Sequence, residues 1–203
     1  DDERRQRLLS VIQADVSRLD RLITDISKAS RVDAELARED VGRLDLCGLL
    51  ENLAEVYSEG KDGGPGVVFE NTVRNGSVLG REGPLGQVFR NLIDNALTFS
   101  PTDGEVQLTA SRGHRDGGIK LVITVEDNGP GIPTENFETV FDRFYTERPK
   151  GAAFGKHSGL GLAISRQIVD AHGGLIDAGN RVDSEGNIVG AIFTVELPAA
   201  LAN

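Results

Sequence analysis

The sequence predicts an α+β domain, a mixed sheet covered by helices on one face in a two-layer sandwich, with a long helix in front of it. Three observations carry that reading. No Gly or Pro occurs before Gly42, which is the first of the chain's 25 Gly. Apolar residues in the opening segment recur at alternating spacings of four and three, the period of a helix face. Beyond it, β-rich and helical runs follow one another without regular βαβ alternation, which favours helices gathered on one side of a sheet over a doubly wound fold.

The front helix is read from Leu8, Ile12, Asp15, Leu19, Leu22, Ile26, Ala29, Asp33 and Leu36, apolar at seven of nine places, a seam of the kind that pairs helices. Leu9, Val16 and Ile23 widen the stripe beyond what a two-stranded coil needs, so packing in a bundle is expected. Its partners would come from a second copy or from sequence before Asp1. We therefore divide the chain into residues 1–40, a helix, and 41–203, a globular domain. In the second part, Arg43–Leu46 reads as a strand, Leu49–Glu59 as a helix, and the turn KDGGPG at 61–66 leads into a strand over Val67–Glu70. Val78 and Leu79 predict another strand. Pro84 suits the first turn of a helix running from Leu85 to Phe99 and ending before Ser100-Pro101. Glu105–Ser111 and Ile119–Glu126 read as strands joined by a Gly-rich hairpin. Residues 128–158 have little regular periodicity, which suggests a long mobile loop, and loops of that length are usually functional. A helix over Gly161–Ala171 and strands over Leu175–Ala178 and Ile188–Leu197 close the chain.

Composition excludes several classes. With 22 Lys plus Arg against 32 Asp plus Glu among 203 residues, the net charge is −10, the wrong sign for a nucleic-acid clamp. Apolar residues make up 38% and charged residues 27%, which argues for a folded, soluble chain rather than a disordered one. No window approaches the roughly 18 apolar residues of a membrane span, and the first residues do not resemble an export signal. Cys47 stands alone, so no thiolate metal site or disulfide is expected, only a small half-buried side chain near a helix start. The absence of any Met, including at position 1, leads us to expect a piece of a longer protein.

Four clusters carry chemistry. In RNLIDNAL, Asn91 and Asn95 project from one helix face, a turn apart, with Asp94 between them. Two neutral amide oxygens can help orient a hard cation that also takes phosphate oxygens, although an Asn pair also fits a plain solvated face. Asp127-Asn128-Gly129-Pro130-Gly131 follows an apolar strand; its carboxylate can accept a hydrogen bond from a ligand amine while the glycines bring backbone close to a flat ring. It reads equally as a turn. Val140 to Tyr145 forms an aromatic patch inside the long loop. Finally, Ser158-Gly159-Leu160-Gly161-Leu162 runs directly into a helix, and amides at a helix amino end bind phosphate oxygens. No Walker pattern occurs, and the order of clusters differs from the Rossmann fingerprint.

In this order and spacing the clusters resemble the N, G1, F and G2 boxes of the sensor histidine kinases, within the superfamily that includes gyrase, Hsp90 and MutL ATPases. The match covers about residues 41–198. The front helix, RLDRLITDISKASRVDAEL, is similar to the second helix of that family's dimerisation and phosphotransfer hairpin, with wording closest to ChvG-type kinases. The resemblance implies a Bergerat-type ATP site. In it, Asn91 and Asn95 hold Mg²⁺ on the triphosphate, and Asp127 reads the adenine amino group. Gly129, Gly131 and Ile132 shape the adenine wall, and Phe99 lies against the ring. Gly159, Leu160, Gly161 and Leu162 meet the phosphates, and Phe141 and Phe144 anchor a lid.

The resemblance also implies a homodimer through the front helix, a response-regulator partner, no nucleic acid, and a cytoplasmic position in an inner-membrane parent whose membrane contact lies in upstream segments. ATPase relatives carry Glu where this chain has Asn91. An amide cannot take a proton, so transfer to histidine is expected rather than hydrolysis. Some positions depart from the family: Thr98 replaces a usual Lys, Thr146 a frequent Arg, and His157 the first Gly of the G2 pattern. Arg143, Arg148, Lys150 and Lys156 are the cations at hand to substitute. Neither His114, His157 nor His172 sits in a phosphoacceptor context, so the acceptor is expected upstream of Asp1. The expected function is transfer of the ATP γ-phosphoryl to that histidine, for relay to a response-regulator Asp; the alternative is a nucleotide-binding scaffold without transfer.

Overall fold

The computed structural model describes residues 40–59, 66–74, 76–146 and 159–200, together with Arg5 and Val16. The expected front helix, most of the turn at 61–66, and His157 with the rest of 147–158 therefore lie outside the described residues. Among those described, the order is β1 (Gly42–Asp45), α1 (Leu46–Glu59), β2 (Gly66–Asn71), β3 (Ser77–Gly80), α2 (Glu82–Phe99), β4 (Glu105–Arg115), β5 (Gly118–Glu126), 3-10 turns at Thr134–Asn136 and Thr139–Phe141, α3 (Gly161–Ala171), β6 (Leu175–Val182) and β7 (Ile188–Pro198).

β2, β4, β5, β7 and β6 form one sheet in that spatial order, while β1 and β3 pair separately. β2 runs parallel to β4 and the other neighbours are antiparallel, so the sheet is mixed, as expected. Its three central strands, β4, β5 and β7, bury every second residue over most of their length. Val106, Leu108 and Ala110, Leu121, Ile123 and Val125, and Phe193, Val195 and Leu197 are buried and form one core with Leu85, Phe89, Leu92 and Ile93 of α2 and Ile164 and Ile168 of α3. On the opposite face, Thr109, Thr124 and Thr194 stand in one row across three strands, flanked by Glu70 and Asp177. A slip of one residue would bring that threonine row into the core, so the register is strongly specified.

Local chemistry explains the boundaries. Asp116 and Gly117 both adopt positive φ, 51° and 75°, as the two-residue turn between β4 and β5 requires. That turn lets β4 extend to Arg115, so His114 lies in the strand opposite Ile119 rather than in the turn itself. α2 starts at Glu82, earlier than the sequence indicated. Pro84 is tolerated in its first turn because amides there have no intrahelical acceptor to lose. Cys47, the second residue of α1, is fully buried rather than half-buried. Its thiol faces Asn71 Oδ1 at 3.6 Å, and burial pushes its pKa up, reinforced by Asp45 and Glu51.

α2 and α3 pack side by side and are tied at their remote end by His172, the residue that follows α3. The Arg81 amide, immediately before α2, donates to His172 Nε2 at 3.2 Å, and His172 Nδ1 lies 2.7 Å from the Ile168 carbonyl. A carbonyl only accepts, so Nδ1 carries the proton and Nε2 the lone pair. The ring of His172 is thus a strut between the two helices.

Candidate functional site

The site is assembled where β5, α2 and α3 end or begin. Asp127 follows β5 directly and is only 3% exposed. Its Oδ1 accepts hydrogen bonds from the amides of Gly129 at 2.8 Å and Ala191 at 2.9 Å. Among the described residues Oδ2 has no protein partner and remains able to accept one from a ligand. Burial raises the carboxyl pKa, a shift opposed by the Ala191 and Gly129 amides and by Arg181.

The turn after Asp127 is held by backbone proximity. A Cβ on Gly129 would stand 2.7 Å from the Phe99 carbonyl, so the carboxyl end of α2 and this turn meet without room for a side chain. Gly131 has φ +76° and its missing Cβ would run into Ile188 and Asn180; here glycine is required on both counts. Ile132 is buried, and its amide and carbonyl are both bonded to the Asn180 carboxamide at 2.7 Å. Next to it, Arg181 donates to the Asp127 carbonyl at 2.8 Å and pairs with Glu126 at 2.8 Å. Gly190 leaves the space that the Asp127 carbonyl occupies.

Asn91 lies on α2 facing the first turn of α3. Its Nδ2 is 3.0 Å from the Gly161 carbonyl and 3.3 Å from Ser165 Oγ. Asn95 lies one turn further along α2 and is partly exposed, and its side chain makes no hydrogen bond with a described residue. Asp94 turns elsewhere, accepting the Tyr57 hydroxyl of α1 at 2.8 Å. Burial, and after it the Asp94 carboxylate, pushes the Tyr57 pKa up. The Thr98 hydroxyl folds back onto its own helix, donating to the Asp94 carbonyl at 2.7 Å.

At the start of α3, the first helical bond runs from the Ile164 amide to the Leu160 carbonyl. The amides of Gly161, Leu162 and Ala163 thus precede the ladder, and no side chain caps them among the described residues. Such a helix end favours anions. Gly159 has φ +74°, and a Cβ there would stand 2.5 Å from the Tyr145 carbonyl. The Phe144 amide donates to the Gly159 carbonyl at 2.9 Å, so the two ends of the segment 145–158 are fastened together.

The two phenylalanines expected to anchor a lid have different surroundings. Phe141 is buried edge-on against Phe193, with ring centroids 6.2 Å apart, under the Arg166 guanidinium at 4.0 Å. Phe144 is 54% exposed.

Among the described residues no three His, Cys, Asp or Glu side chains converge on a cation position. A metal here would depend on the ligand's own oxygens, which suits the uncharged Asn91 and Asn95. Asn180, Arg181, Gly190 and Ser165 escaped sequence reasoning. The Gly161–Ser165 spacing of one helical turn was an available signal for the last; the others are visible only once β6 and β7 are placed in register.

The family model for histidine kinase-, DNA gyrase B- and HSP90-like ATPases matches residues 80–201. The chain is 46% identical to the sensor protein ChvG of Rhizobium meliloti (strain 1021) over 208 aligned residues, covering 98% of this chain and 35% of that protein. It therefore spans about a third of that relative's length. Among solved structures, full-length ShkA in complex with AMPPNP is similar with a TM-score of 0.71 at 28% identity, over 97% of this chain and 39% of that one. The histidine kinase ThkA in complex with the response regulator protein TrrA is similar with a TM-score of 0.69 at 25% identity, over 98% of this chain and 53% of that one. On this evidence the chain belongs to the family of histidine kinase-, DNA gyrase B- and HSP90-like ATPases, and its domain is of the kind found in sensor histidine kinases.

Proposed function

We propose that this domain binds Mg·ATP between Asp127, the Asn91–Asn95 face of α2 and the amino end of α3, and transfers the γ-phosphoryl to a histidine of the parent protein outside the described residues. What supports this reading is that three complementary features are linked through α2, where Gly129 packs on the Phe99 carbonyl and Asn91 faces Gly161. Asp127, buried as a residue, offers a second carboxylate oxygen that no described protein group occupies, suited to the exocyclic amine of adenine. The glycine turn at 129–131, Ile132 and the end of α2 at Phe99 bring backbone and apolar surface where a flat base would lie. The amides at Gly161 and Leu162, flanked by Gly159 and Leu160, offer donors to phosphate oxygens.

When bound, Mg²⁺ supplies charge neutralisation and orientation of the phosphate oxygens. The chain's own part is positioning. Asn91 and Asn95 present amide oxygens, and an amide at 91 takes no proton, so the site favours transfer to a nucleophile that already carries a lone pair over activation of water. The similarity to sensor kinases supports transfer over a nucleotide-binding scaffold. The ThkA–TrrA complex supports a response-regulator Asp as the next acceptor here, and residues 1–40 would supply the homodimer contact. Among the described residues no helix is long and apolar enough to cross a membrane, so in this reading any anchor belongs to other segments of the parent.

Calorimetric titration of ATP with Mg²⁺ into the protein and into Asp127→Asn tests the proposal. Asparagine keeps one acceptor oxygen but turns a donor toward the adenine amine. Loss of measurable binding is expected; unchanged affinity in the variant would overturn the site.

A further inference from the structure

Asn91 reads from sequence as a metal-facing residue, yet half of its side chain is already committed to the protein. The Gly161 carbonyl can only accept a hydrogen bond, so the Asn91 atom 3.0 Å away is the amide nitrogen, not the oxygen. The second proton of that nitrogen faces Ser165 Oγ at 3.3 Å. Ser165 is completely buried, and its own hydroxyl donates to the same Gly161 carbonyl at 2.9 Å. That donation turns the hydroxyl lone pairs toward Asn91. The three groups therefore close a small ring of hydrogen bonds between α2 and the first turn of α3.

Resting on the nucleotide site described above, we propose that Ser165 is a positioning residue that fixes the flip state of the Asn91 carboxamide, so that only its Oδ1 is left to face the metal and phosphates. The same ring fastens the Asn91 side chain of α2 to the first turn of α3 as one unit. It explains why a carboxamide stands at this position. A carboxylate would turn an anionic oxygen toward the Gly161 carbonyl, and neither partner could donate. Added negative charge at 91 would thus loosen the unit rather than tighten the cation.

Two readouts test this, one of them without nucleotide. In the ligand-free protein, the Asn91 side-chain NH₂ signal, assigned by its disappearance in Asn91→Leu, is expected to exchange with solvent slowly, and about 5- to 10-fold faster in Ser165→Ala, as fits the loss of one such bond. In nucleotide titrations, Ser165→Ala is expected to keep the Mg²⁺-free ATP affinity within about twofold while needing about 5- to 10-fold more Mg²⁺ for half-maximal effect. Unchanged exchange together with unchanged Mg²⁺ dependence would overturn the proposal. So would an equal loss of affinity with and without Mg²⁺, which is what a merely structural serine would produce. If the unmutated protein bound no ATP, the nucleotide reading itself would fail, and the exchange measurement would still judge the Ser165–Asn91 contact.

Discussion

In the proposed site, Asp127 would serve binding at the expense of the fold. Its folded-state pKa lies above the ordinary value of 3.8, chiefly through desolvation. A carboxyl shifted in that direction favours folding while protonated; the benefit is complete below the unfolded-state value and is lost as the pH rises through the folded-state one. At neutral pH the buried charge is therefore a cost. Asp127→Asn keeps an acceptor for the Gly129 and Ala191 amides and removes the charge. Urea melts should find it at least as stable as the parent at pH 7, with the advantage shrinking as the pH falls toward 3.8. A variant that binds no nucleotide yet melts no earlier would mark this carboxylate as retained for recognition. A matching loss of stability at pH 7 would contradict the assignment of the shift to burial.

Among the elements, α2 and α3 act as a pair clamped at both ends, by Asn91 with Gly161 and Ser165 near the proposed nucleotide site and by His172 with Arg81 at the far end. His172→Ala leaves the Arg81 amide without its acceptor. It should cost about 1–2 kcal/mol, seen as a fall of a few degrees in the thermal midpoint for a domain of this size; an unaltered midpoint would show that the strut carries no weight.

The sequence disclosed α3 to the residue because glycines punctuate both of its ends, at Gly159 and Gly161 and at Gly173. It disclosed β6 only as far as Ala178, since Gly179, Asn180 and Arg181 are poor strand formers. Those residues stay in the strand because pairing with β7 overrides their preference, and there Asn180 and Arg181 hold the turn around Asp127. The clusters at 91–95, 127–132 and 159–162 were legible because each is a local spacing. Their bracing was not, because it crosses from strand to strand and from helix to helix.

For the whole molecule, a two-layer arrangement with its helices on one face leaves the row of Thr109, Thr124 and Thr194 on the other, and it draws the ends of β5, α2 and α3 to one rim. The segment that would cover that rim departs at Phe144 and returns at Gly159, two points joined by a hydrogen bond. A span with fastened ends is largely insulated from changes in its own length, since doubling a flexible loop adds only about 0.6 kcal/mol of closure entropy. Insertion of a short Gly-Ser stretch within 147–158 is expected to leave the thermal midpoint within about 2 °C of the parent, whereas a substitution at Gly159 should not be tolerated. Such a knot between Phe144 and Gly159 would let the number of residues between them change while the bed beneath keeps its shape.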